Sequence, residues 1–184
     1  MAELATPPPL LSVDEYLELE QGSSIKHEYI EGALYALAGS TDRHNRIAGN
    51  IFRRLADAAD DTPCRVYISD MRVQIGKVFY YPDVMVACEE PDTDNPIYRR
   101  DPCLLVEVTS RGTASIDRRE KLLVYRQISS VRAYLIVDQD ARRVERHFRD
   151  EDGVWQRADF VNDGVFPVPC PEAELTLEGI YKGL

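Results

Sequence analysis

Apolar and polar positions alternate along the chain in blocks that change period, and each block predicts an element. Ser12-Val13-Asp14-Glu15 has the S-x-x-E spacing of a capping box, with Tyr16, Leu17 and Leu19 behind it, so a short helix ending near Gly22 is predicted. Glu28-Tyr29-Ile30 and residues 33–38 read as the arms of a hairpin turned at Glu31-Gly32. Ser40-Thr41-Asp42 offers N-caps for a helix reaching about Ala59, with His44, Ile47, Ala48, Ile51 and Leu55 on one stripe. Strands are predicted next over 65–75, 78–87 and 103–109, the first two joined at Gly76-Lys77 and the last two separated by a polar loop over 88–101. A second long helix over about 115–128, an apolar strand over 133–137, and a hairpin with arms 143–149 and 155–160 around Asp150-Glu151-Asp152-Gly153 complete the pattern. This order predicts the α/β class in its α+β form, a mixed sheet flanked by helices, with a tail over 1–10 and one domain over 11–184.

Three charged residues break the pattern. Leu104-Leu105-Val106-Glu107-Val108 reads as a central strand covered on both faces, yet it holds an acid. Desolvating a lone carboxylate there is costly unless it is paired, protonated or bound to a cation. Alternation puts Glu107 on the face of Leu105 and Thr109. Asp83 repeats the anomaly within Tyr80-Tyr81-Pro82-Asp83-Val84-Met85-Val86, where Pro82 marks an edge, a bulge or a strand end and so predicts a bend that presents the acid. Each acid alone has an ordinary reading as a solvated strand end or a salt bridge, and the two together suggest an oxygen-ligand site for a hard cation. Lys121 shares a helical stripe with Asp117, Val124, Tyr125 and Ile128 and therefore points inward. An Asp117–Lys121 pair snorkelling from the core edge is the alternative.

Composition narrows the classes. With 184 residues and 44% hydrophobic content the chain suits one core. It shows neither a signal sequence nor an apolar run long enough for a bilayer, so a soluble, cytoplasmic protein is expected. Cys64, Cys88, Cys103 and Cys170 are scattered without a CxxC or Cys/His pairing, so reduced, mostly buried thiols are expected rather than a zinc knot or a disulfide framework. A formal charge of -10 argues against sequence-independent nucleic-acid binding, although Arg99-Arg100, Arg118-Arg119-Lys121 and Arg142-Arg143-Arg146 concentrate positive charge locally.

The set Tyr81-Pro82-Asp83, Leu105-Val106-Glu107-Val108 and Asp117-Arg118-x-x-Lys121-x-x-x-Tyr125 resembles the Uma2-type restriction endonuclease family of the PD-(D/E)XK nuclease superfamily. Glu15-Tyr16, the run from His27 to Gly32, His44-Asn45-Arg46-Ile47 and Val137-Asp138 extend the resemblance over most of the chain. Thr109 stands where the lysine of E-x-K would be, and Lys121 is the migrated replacement that the resemblance implies. The resemblance further implies a restriction-endonuclease-like core that hydrolyses DNA phosphodiesters with Mg2+, or Mn2+ in its place. Asp83, Glu107 and the carbonyl of Val108 would ligate the ion, which polarises the phosphodiester and activates water, while Lys121 orients that water or stabilises developing charge. Glu28 and His44 stand as supporting candidates with Asp117. Glu28 reads equally as a strand-edge acid, and His44 as a core or capping residue. Arg99, Arg100, Arg118 and Arg119 are the phosphate-binding candidates, and cutting two strands favours a symmetric homodimer. A nuclease fold kept as a non-catalytic nucleic-acid or protein-binding module is the competing reading, supported by the acidic composition. A small-ligand binder lacks any phosphate-cradling glycine loop.

Overall fold

The computed structural model describes residues 10–91, 95–109 and 117–184, apart from the side chain of Asp117. The Pro-rich tail, the middle of the 88–101 loop and the start of the second long helix fall outside the described residues.

Helix α1 (Val13–Gly22) opens with the capping box in full: Ser12 Oγ accepts from the Glu15 amide, and the Ser12 amide donates to Glu15 Oε2 at 2.7 Å. Strands β1 (His27–Ile30) and β2 (Ala33–Ala36) form the predicted hairpin, with Glu31 at φ 49 and Gly32 at φ 105 closing the turn. Helix α2 (Asp42–Ala59) is capped by Thr41 and buries Ile47, Ala48, Ile51 and Leu55.

The strands predicted over 65–75 and 78–87 are each broken in two, which corrects the sequence expectation. β3 (Arg65–Ile68) and β4 (Arg72–Ile75) are separated at Ser69, whose φ of 57 ends the extended run. β5 (Val78–Tyr80) and β6 (Val84–Ala87) are separated at Tyr81-Pro82-Asp83. The breaks let one chain segment serve two sheets. With β7 (Tyr98–Arg99), β8 (Leu104–Thr109), β9 (Ala133–Asp138), β10 (Arg143–Arg149) and β11 (Trp155–Val161), a five-stranded sheet runs β2-β1-β5-β4-β7 and a six-stranded sheet runs β11-β10-β9-β8-β6-β3. β8 and β9 are parallel and the other pairs of the six-stranded sheet are antiparallel, so the sheet is mixed.

Among the described residues, the crossover from β8 to β9 holds a π-helical turn, Asp117–Lys121, running into α3 (Leu122–Tyr125), which ends before the expected residue 128 and is wound differently from the α-helix expected. A C-terminal hairpin of β12 (Val165–Pro169) and β13 (Glu172–Thr176) and a helical turn α4 (Leu177–Ile180) were not predicted. Their mixture of Pro, Glu and isolated apolar residues carries no clear period. Leu104, Val106, Val108 and Leu135 pack under α2 and this C-terminal unit, whereas Leu105, Tyr134 and Ile136 face Tyr80, Tyr125 and Ile128. Tyr16, Tyr29, Phe79 and Tyr98 form a third cluster beneath α1.

The cysteines depart from the expectation of free thiols. Cys64 is joined to Cys88 and Cys103 to Cys170. The β3–β6 register, which pairs Arg65 with Ala87, brings Cys64 and Cys88 together across 24 residues, a proximity that sequence spacing does not reveal. No helix among the described residues is long and apolar enough to cross a membrane.

His147 on β10 is 4% exposed and stacks on Tyr134. Burial, then the Arg126 and Arg157 cations, lowers its pKa from the ordinary 6.5. A depressed histidine pKa leaves both folded and unfolded states neutral above pH ~6.5, while below it the unfolded chain takes up the proton first. Stability should therefore fall as pH drops through ~6.5, with His147→Phe flattening that slope in denaturant titrations between about pH 7 and 5. An unchanged slope in the variant would assign the pH dependence to other groups.

Candidate active site

Five elements converge at one end of the junction between the two sheets. Asp83 lies in the break between β5 and β6, at the point where the chain passes from the small sheet to the large one. Its Oδ2 accepts the Val108 amide at 2.7 Å and stands 3.3 Å from His44 Nε2, at the start of α2. The acid therefore ties the end of β8 to α2, and its side chain keeps 18% exposure. Pro82 supplies no amide for a ladder, consistent with the strand ending where Asp83 is presented.

Glu107 sits in β8, buried at 5% exposure on the Leu105 face, as alternation requires. Its Oε1 accepts from Lys121 Nζ at 3.0 Å and from the Tyr125 hydroxyl at 2.9 Å. Lys121 reaches a second acid, Glu28 of β1, at 2.8 Å, and its ammonium lies 5.2 Å from the centre of the Tyr80 ring. The Glu28 contact is an ion pair without hydrogen-bond alignment, which leaves Glu28 Oε1 buried without a hydrogen-bond partner. Thr109, at the E-x-K lysine position, is 1% exposed, and its Oγ1 likewise has no partner among the described residues. A lysine from the helix thus meets the in-strand glutamate, and the two-residue E-x-K spacing is not used.

Tyr125 shares the inward stripe of Lys121 and joins the same polar cluster. Its position one turn after Lys121 is the signal that could have found it. Burial, followed by the charge of Glu107, pushes its hydroxyl far above the ordinary tyrosine range, so it remains a proton donor to the carboxylate. Tyr80 is pushed up to about 12 by burial and then by Glu28, with Lys121 opposing the rise.

The remaining candidates separate. Arg99 is buried at 4% exposure, with its guanidinium on Asp101 at 2.7 Å and on the Glu89 carbonyl at 2.9 Å. Arg100 is exposed, stacks on Tyr98 and bonds Gln74. Arg99 ends β7 and Arg100 follows it, at the edge strand three positions from β1, or about 14 Å across the sheet. Arg118 bonds the buried Glu145 at 2.6 Å. Arg119, on the π-helical turn beside Lys121, is exposed. The side chain of Asp117 lies outside the described residues.

Asp83, Glu107 and Glu28 against Lys121 give formal charges of -3 and +1, a net of -2 that one divalent cation offsets. Oxygen donors and partial exposure at Asp83 suit a hard cation. Among the described residues no three acids or histidines lie within 4.8 Å of one another, and Lys121 bridges Glu28 and Glu107.

Removing the ammonium should leave two buried acids without the cation they share. Lys121→Met is expected to lose about 3–5 kcal/mol at neutral pH, with Glu107→Gln on that background recovering part of the loss. Tyr125→Phe should cost about 1–3 kcal/mol, because the buried Glu107 loses the hydroxyl donor. Urea unfolding of the three variants measures both, and a Lys121→Met protein as stable as wild type would contradict the buried pairing.

The Uma2 family profile, described as "Putative restriction endonuclease", matches residues 13–178. The uncharacterized protein sll1609 of Synechocystis sp. is 37% identical over 150 residues, covering 79% of this chain and 85% of its own length. The uncharacterized protein slr1290 of the same organism is 29% identical over 182 residues, covering 98% and 96%. A crystal structure from Anabaena variabilis, described as a "putative nuclease belonging to DUF820", superposes with a TM-score of 0.77 at 18% identity, covering 93% of this chain and 97% of that one. That likeness establishes the fold, and the match over the whole of the site-bearing region establishes the family: the chain belongs to the Uma2 family of restriction-endonuclease-like proteins.

Proposed function

We propose that this chain is a divalent-metal-dependent endodeoxyribonuclease whose site is built on Asp83, Glu107 and Lys121. The observation that carries the reading is a buried lysine delivered by the crossover helix to a strand glutamate, 3.0 Å away, beside an acid at a strand break. Asp83, Glu107 and the Val108 carbonyl would hold Mg2+ or Mn2+, with Glu28 in support. The ion would supply Lewis-acid polarisation of the phosphodiester. Lys121 fixes a positive charge at the carboxylates before substrate arrives, so no reorganisation is needed as negative charge develops. Tyr125 holds Glu107 in one rotamer, and His44 holds Asp83. Arg119 is the exposed cation best placed for a phosphate, while Arg118 is engaged by Glu145 and Arg99 by Asp101. The net charge of -10 makes binding depend on such few local cations.

The competing reading, a non-catalytic binding module on the same fold, draws on that acidity and on the full occupation of Lys121 by two acids. Supercoiled plasmid incubated with Mg2+ or Mn2+ separates the two. Nicking is expected with wild type and should fall by roughly a hundredfold or more in Asp83→Asn, a substitution at a part-exposed position whose fold is checked by its thermal melt. DNA binding without cleavage of supercoiled, linear or single-stranded DNA would favour the module. Arg119→Glu should weaken DNA binding and its salt dependence more than Arg142→Glu, measured by fluorescence anisotropy across a salt series. Equal effects would remove Arg119 from the interface.

A further inference from the structure

At the end of the central strands opposite the carboxylates, all four cysteines of the chain come together. Cys64 precedes β3, Cys88 follows β6, Cys103 precedes β8 and Cys170 follows β12. Cys88 and Cys103 contribute sulfurs to different disulfides, yet these lie 3.6 Å apart; the sulfurs of Cys88, Cys103 and Cys170 are all within 4.8 Å of one another, and Cys64 joins them through its bond to Cys88. Each disulfide accounts for the closeness of its own two sulfurs. Nothing in disulfide bonding accounts for the convergence of two pairs on one point.

We propose that in its reduced form this cluster is a tetrathiolate site for one Zn2+ ion, bound by Cys64, Cys88, Cys103 and Cys170. A tetrahedral ion with Zn–S bonds of about 2.3 Å separates its sulfurs by roughly 3.8 Å, close to the contact already present between the two pairs. The positions of the ligands are set by backbone pairing. Cys64 and Cys88 flank the β3–β6 ladder, the Cys103 amide donates to the Val86 carbonyl at 2.8 Å, and its own carbonyl accepts from Arg132 at 2.9 Å. The Arg132 side chain also reaches the carbonyl of Pro169, next to Cys170, which sets a cation near a site that would carry a formal charge of about -2. Cys64 and Cys88 are part-exposed and give the ion a path inward, while Cys103 and Cys170 are buried at 8% and 5% exposure. The chemistry balances with a dithiol as reductant: two dithiols are oxidised to two cyclic disulfides as the two protein disulfides become four thiols, and zinc then displaces four protons. Cys103, just before β8, and Glu107, within it, are four residues apart, roughly 13 Å, so the thiolate site is distinct from the carboxylate site.

The test is made on the full chain, reduced with an excess of dithiol and freed of metal. Addition of Co2+ should give thiolate-to-cobalt charge transfer and the intense ligand-field bands of tetrahedral coordination, saturating at one equivalent, and Zn2+ should bleach them. These bands report sulfur ligation, so cobalt held by Asp83 and Glu107 does not produce them, and an Asp83→Asn protein should give the same spectrum. Zinc should also raise the Tm of the reduced wild type, and Cys88→Ser/Cys103→Ser should lose both the Tm rise and the tetrathiolate spectrum. Reduced, folded wild type that shows no thiolate charge transfer, or an intensity matching only two thiolates, would overturn the proposal.

Discussion

The Lys121 ammonium, held between Glu28 and Glu107, is the contact on which the arrangement of the interior depends. It joins β1 of the small sheet, β8 of the large sheet and the crossover helix, three elements with no shared ladder. A buried charge without partners is strongly unfavourable, so each of these elements must be in place for the others to tolerate their charged residue. Tyr125 adds a neutral donor to Glu107 and packs edge-on against Tyr80 at 5.7 Å and Tyr134 at 5.0 Å, coupling the polar cluster to the aromatic core.

The two strand breaks create the geometry around that contact. At Ser69 and at Tyr81-Pro82-Asp83 the chain leaves one sheet for the other, so a single run of about twenty residues lends strands to both. Asp83 occupies the second crossing and reaches the Val108 amide, and the site forms where the sheets meet. The π-helical turn does the same for Lys121. An extra residue in the turn alters the direction in which its side chain leaves the helix, a device found often at functional positions.

Charge and sulfur are distributed around this core in ways that limit which residues are available to a ligand. Arginine clusters in the sequence are mostly spent internally: Arg99 on Asp101, Arg118 on Glu145, and Arg143 and Arg157 on Asp159. Arg119 keeps its exposure. The sulfurs gather at the opposite end of β6 and β8 from Asp83 and Glu107, so each strand spans the distance between sulfurs and acids in a few residues.

Local pattern in the sequence determined the capped α1, the β1–β2 hairpin, α2 and its buried stripe, and the identity of Asp83, Glu107 and Lys121 as charges that an apolar setting had to explain. These follow from periodicity and capping, which involve neighbours within a few residues. The Pro82 bend was legible for the same reason. What the tertiary structure alone decided depends on distant pairings: the division of 65–75 and 78–87 between two sheets, the reach of Lys121 to Glu28 across 93 positions of sequence, the burial of Arg99, and the gathering of Cys88, Cys103 and Cys170 with Cys64 bonded to Cys88. Strand register places Cys64 beside Cys88 and Glu28 within reach of the crossover helix, and register is set by how whole sheets pack, so no short window of residues contains it.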